Sequence, residues 1–137
     1  MADQPLKFGI HTPVTTMHPR RQVSWEADAG AEELKRIAIA ADELGFNCVW
    51  FAEHHFSQVG MVPDPLLLCA AVSQRTKRIR LGTAISIMSF HNPVRLAEQA
   101  AMVDVLSGGR LDLGVGRGSQ PKEFYGFQAL PSESRAR

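Results

Sequence analysis

Four short runs rich in β-branched and aromatic residues recur along the chain, Leu6 to His11, Cys48 to Ala52, Ile79 to Ile87 and Arg110 to Val115, with starts 42, 31 and 31 residues apart. Each of the first three is followed by an apolar pattern of helical period. Leu34, Ile37, Ala38, Ala41 and Leu44 make one stripe, and Gly45 follows as a left-handed stop. A second helix is predicted from Asp64-Pro65, a capping side chain with proline at the first helical position, through Leu66 to Gln74. A third opens in the same way at Asn92-Pro93, carries Leu96, Ala100, Val103 and Leu106, and stops at Gly108-Gly109. Strands alternating with helices need crossover connections, which make the strands parallel and the crossovers right-handed. The spacing fits one unit of an eight-unit barrel of about 250 residues, and an open doubly wound sheet of four or five strands equally well.

The chain has 137 residues, 45% hydrophobic and 21% charged, with a net charge of +1. That length suits a single domain over residues 1–137. The charge balance excludes a strongly basic nucleic-acid binder, and the composition excludes a disordered tail. The basic run Arg75-Thr76-Lys77-Arg78-Ile79-Arg80 closes the second helical pattern, where cations complement the helix dipole. No apolar run approaches the roughly 18 residues of a membrane span, and Met1-Ala2-Asp3-Gln4-Pro5 does not open a signal peptide. Cys48 and Cys69 stand in apolar runs and read as buried reduced thiols, which points to a cytoplasmic protein.

In either parallel architecture the working face is the carboxyl end of the strands. The polar residues collect there: His11 and Thr12, Glu53-His54-His55, Ser86, Ser89 and His91, then Arg117, Ser119 and Gln120. Glu53-His54-His55-Phe56 is the densest group. Adjacent side chains at a strand end point to opposite faces, so one histidine is expected to work as an acid, base or ligand contact while the other packs. Glu53, His55 and His11 match no metal-ligand spacing, and no metal is expected. Gly114-Val115-Gly116-Arg117-Gly118-Ser119 lacks the third glycine of a dinucleotide fingerprint and ends a strand instead of opening the chain. Its glycines are read as letting a ligand approach the backbone, with Arg117 as a phosphate donor; the alternative is a turn arginine paired with Glu123.

Four ordered motifs carry a specific resemblance. Trp50-Phe51-Ala52-Glu53-His54-His55-Phe56, Arg80-Leu81-Gly82-Thr83-Ala84, His91-Asn92-Pro93-Val94-Arg95 and the run from Leu106-Ser107-Gly108-Gly109-Arg110 to Gly116-Arg117-Gly118 resemble the bacterial luciferase-like flavin monooxygenase family. The resemblance extends over about residues 6–134 and implies a TIM (β/α)8 barrel, of which this chain holds the first four β/α units, a half barrel.

It further implies an oxidoreductase in which reduced FMN, delivered by a separate flavin reductase, reacts with O2 to oxidise an aldehyde or another small organic substrate. By position His54 resembles the catalytic histidine and Arg117 the phosphate-binding arginine. Ala84-Ile85 resembles the pair joined by a non-proline cis peptide under the flavin ring, and Glu53 and Gly118 complete the implied cofactor contacts. Luciferase α subunits have a cysteine where this chain has Gly116, so a generic monooxygenase is expected in place of a light-emitting one. Sister families use the deazaflavin coenzyme F420 for hydride transfer, an alternative reading; a non-catalytic assembly module is another. In the resembling family the second and third helices form a dimer interface, so a homodimer is expected. Four strands do not close a barrel, and the chain alone as a monomer is expected to be inactive.

Overall fold

The computed structural model describes residues 6–12, 27–56 and 62–129. The first strand, β1 (Gly9–Thr12), pairs in parallel with β2 (Cys48–Phe51), β2 with β3 (Arg80–Thr83), and β3 with β5 (Leu111–Asp112). Two shorter strands, β4 (Ser86–Ile87) and β6 (Val115–Gly116), pair in parallel as a separate piece. Two residues separate each from the end of β3 or β5, so the third and fourth strands of the pattern both continue past a break. Every new strand adds to the same edge, which is barrel order; a doubly wound sheet reverses direction at a switch point.

Three helices supply the crossovers: α1 (Ala27–Glu43), α2 (Pro65–Ser73) and α3 (Pro93–Ser107). The Asx-Pro signals work as read. Asp64 accepts the Leu67 amide at 3.0 Å, and Asn92 accepts those of Val94 and Arg95. Gly108 ends α3 in the left-handed region at φ 69°. The core lies between helices and sheet, with Leu34, Ala38 and Ala41 of α1 against Val49, Phe51, Leu81 and the buried stripes of α2 and α3. None of these helices is long and apolar enough to cross a membrane.

Several expectations need correction. Leu44 is 76% exposed and not part of the α1 stripe, because α1 stops at Glu43 and a residue ten positions on lies about 80° round the helix from Leu34. Cys48 is half-buried, since its side chain alternates with Val49 onto the sheet face opposite the helices; Cys69 is fully buried. A short helix, α4 (Pro121–Gly126), follows β6, with proline again at the first helical position.

The breaks have a local cause. Thr83 Oγ1 donates to the Gly114 carbonyl at 2.7 Å and accepts the Gly114 amide at 3.0 Å, replacing main-chain pairing with a side chain. Just beyond, the Ala84-Ile85 peptide is cis. At the opposite end Asp42 closes α1 onto the loop before β3, accepting the amides of Lys77, Arg78 and Ile79 at 2.7–2.9 Å. Arg110 spends its guanidinium on carbonyls of Ser73, Thr76, Ile79 and Ser107. Its role is to tie α2, α3 and β3 together.

Candidate functional site

At the carboxyl end of β2 the Glu53 carboxylate is 2% exposed and surrounded by donors. Oε2 accepts the Ile87 amide at 2.9 Å, so the group is an acceptor toward its other neighbours. His91 Nε2 lies 3.1 Å from both oxygens and His55 Nε2 lies 2.9 Å from Oε1. Burial pushes the Glu53 carboxyl up, but the hydrogen bonds from His91, His55 and Ile87 outweigh it and hold the group below the usual carboxylate range. The same contact raises His91 against its own desolvation, with the charges of Glu53 and Asp64 adding to the shift. Both Glu53 oxygens are therefore occupied by donors from within the protein.

The two histidines follow the end of β2, and their side chains take different partners. His55 turns into an aromatic cluster: its ring meets Phe127 edge-on at 4.5 Å and Phe90 at 5.8 Å, while Phe90 and Phe127 stack at 4.6 Å. Phe56, at φ 51°, turns the chain here, and Gly126 of α4 lies so close to its ring that no Cβ would fit. His54 points the other way. Its Nδ1 is 3.1 Å from Oε1 of Glu123, the same oxygen that accepts the His55 amide at 2.9 Å. The His54 side chain remains 30% exposed, and its Nε2 makes no hydrogen bond among the described residues.

The glycine run has a structural explanation within the fold itself. Gly114, Gly116 and Gly118 sit against Thr83, Ile85 and Ile87 of the neighbouring strand: a Cβ at Gly114 would strike the Thr83 carbonyl oxygen, one at Gly116 the Ile85 side chain, and one at Gly118 would lie 2.7 Å from Ile87 Cγ2. These glycines let the third and fourth strands close on each other. Arg117 projects between them, exposed, with its carbonyl accepting from Ser89 Oγ at 2.9 Å. Its alternative partner Glu123 is taken by His54 and His55, and the guanidinium makes no ion pair among the described residues.

His54, the half-buried Ala84 and Ile85, and Arg117 with Gly118 thus follow the carboxyl ends of three adjacent parallel strands. Among the described residues, a cation without an ion pair, an imidazole nitrogen without a hydrogen bond and an apolar step between them are what this end of the sheet offers a ligand. A family model described as "Luciferase-like monooxygenase" matches residues 7–137. The chain belongs to the luciferase-like monooxygenase family. It is similar to the oxygenase component of flavin-dependent trigonelline monooxygenase from Acinetobacter baylyi, 38% identical over 93 residues, covering 68% of this chain and 26% of that protein. Among solved structures, monooxygenase RslO1 from Streptomyces bottropensis is 43% identical with a TM-score of 0.85, over 96% of this chain and 39% of that one. The oxygenating constituent of 3,6-diketocamphane monooxygenase from Pseudomonas putida, solved in complex with FMN, is 25% identical with a TM-score of 0.80, over 90% of this chain and 32% of that one. The chain therefore spans about a quarter to two-fifths of the length of these family members.

Three groups at this luciferase-like site escape motif reading. His91 carries no signal of its partnership with Glu53, 38 residues away. Glu123 was legible only as an acid near Arg117. The ring cluster draws Phe90, Phe124 and Phe127 from two segments, and only Pro121 at the start of α4 hinted that the second of these is ordered.

Proposed function

We propose that this chain carries the flavin-handling part of an FMN-dependent monooxygenase that oxidises an aldehyde or another small organic substrate with O2, using reduced FMN from a separate reductase. The observation that carries the reading is His54, anchored through Nδ1 and open at Nε2, on the strand end beside Ala84-Ile85 and Arg117. Arg117 holds the cofactor phosphate by charge-assisted bonds. Ala84 and Ile85 support the ring system, Gly118 lets the turn approach it, and Glu53 braces His55 and His91 behind the wall. His54 Nε2 takes or returns a proton at the reacting centre. When bound, reduced FMN supplies the reaction with O2.

The family assignment supports this reading, as do the flavin-dependent name of the Acinetobacter relative and the FMN in the Pseudomonas structure. The whole activity belongs to a protein in which the sheet is closed, since β1 and β5 each have a free edge among the described residues. For the same reason we propose that the chain is inactive as an isolated monomer. A second copy is proposed to cover the groove of about 600 Å³ between α2 and α3, lined by Leu66, Leu67, Ala70, Met102, Val103 and Leu106. Met102→Glu should then shift sedimentation from dimer to monomer.

Flavin titration tests the site. In the assembled form that binds flavin, Arg117→Ala is expected to weaken FMN binding by about 1.5–3 kcal/mol, and His54→Ala to lower turnover by about 10²–10⁴-fold with little change in FMN affinity. Wild-type affinity in the arginine variant would sink the phosphate role. O2 uptake with reduced FMN, set against hydride transfer from reduced deazaflavin, separates oxygenase from dehydrogenase chemistry, and failure to bind either cofactor would favour a non-catalytic assembly module.

A further inference from the structure

Glu123 is 1% exposed, yet only one of its carboxylate oxygens is satisfied. Oε1 accepts from the His55 amide and faces His54 Nδ1, while Oε2 is buried without a hydrogen-bond partner. Burying a carboxylate with one oxygen unpaired is costly, and an apolar residue of similar volume would pack the start of α4 without that cost. Packing therefore does not account for the carboxylate; its contacts with the His55 amide and the His54 ring do. Glu53 makes the contrast, with both of its oxygens filled by the Ile87 amide and the rings of His55 and His91.

We infer that Glu123 is the positioning residue that fixes His54 in the Nδ1–H tautomer, so that Nε2 presents a lone pair at the exposed edge of the ring. Because Oε1 already accepts from a backbone amide, it acts as an acceptor toward Nδ1 as well, and the ring nitrogen must donate. A neutral imidazole has one N–H, so the outward nitrogen is left as the proton acceptor. An unheld ring would rotate and divide its proton between the two nitrogens. The inference rests on the proton-transfer role proposed for His54, but its first readout is independent of catalysis.

The test is the imidazole 15N spectrum of the intact, flavin-free protein above the ordinary range of histidine titration, with the His54 signals assigned by their loss in His54→Ala. A protonated Nδ1 and an unprotonated Nε2 are expected in the wild type and in Glu123→Gln, which keeps an acceptor oxygen. Glu123→Leu should mix the tautomers and lower kcat by about 10²-fold or more, with flavin affinity within about twofold. In a His54→Ala background the same leucine should cost nothing further. A wild-type spectrum with Nε2 protonated overturns the inference even if the leucine variant does not fold, and so does an unchanged tautomer in a folded Glu123→Leu. If His54→Ala retains full turnover while the tautomers behave as expected, the functional reading fails and the positioning by Glu123 stands.

Discussion

His91 Nε2 stands equidistant from both oxygens of Glu53, 3.1 Å from each, and the contact moves the two groups in opposite directions. Glu53, held below its ordinary value of 4.5, contributes stability that is complete above that value and lost as pH falls through its lower folded value. His91, raised above 6.5, contributes stability that is complete below that value and lost as pH rises through its higher folded value. Asp42, also held low, steepens the acid side. Denaturant unfolding should therefore show a plateau between about pH 4.5 and 6.5 with a decline on each flank. His91→Gln, which can still donate to Glu53 but carries no charge, should remove the alkaline flank and soften the acid one less; an unchanged alkaline flank would assign that decline to another group.

Asp42 satisfies three consecutive amides at the entrance to β3. Asp42→Ala leaves them without that partner, the Ile79 amide in a buried position, and is expected to cost about 2–4 kcal/mol. Asp42→Asn, which keeps one acceptor oxygen, should cost less. Equilibrium urea curves measure both, with the midpoint shifting at constant slope.

At Gly114 an added methyl group meets the carbonyl of Thr83, which the backbone cannot withdraw; at Gly116 it meets the free end of the Ile85 side chain, which can rotate. Gly114→Ala is expected to destabilise by about 3 kcal/mol or to prevent folding, and Gly116→Ala by about 1 kcal/mol. Thermal unfolding of the two variants gives the order. The reverse order would mean that contact between strands is not what the glycines serve.

Burial pushes the Cys69 thiol up to about 12, with the Asp64 charge adding to it. Cys69 should resist iodoacetamide at pH 8 in the native protein and react once denaturant is added. Peptide mapping by mass spectrometry locates the label, and native labelling at Cys69 would contradict its burial.

The helix boundaries and the parallel alternation were legible because their signals are local. Asp64 and Asn92 cap through amides two or three residues on, and Gly108 needs only its own freedom at positive φ. Leu44 marks the limit of such reading, because a periodic stripe does not show where the helix leaves the core. The Glu-His-His cluster was equally visible as a group, although both histidines lie beyond the end of β2, where strand alternation no longer fixes their sides. Which ring faced outward depended on contacts that no local pattern encodes. His55 is enclosed by Phe90 and Phe127, and His54 is anchored by Glu123, residues that lie 35 to 72 positions away and converge only when β2, β4 and α4 share one end of the sheet. The glycine run shows the same division. Its spacing resembles a ligand cradle along the chain, whereas the register of β4 against β6 turns that spacing into room for Ile85 and Ile87. Local backbone preference determined the units of this fold, and the meeting of atoms across parallel strands decided which side chains remained open for chemistry.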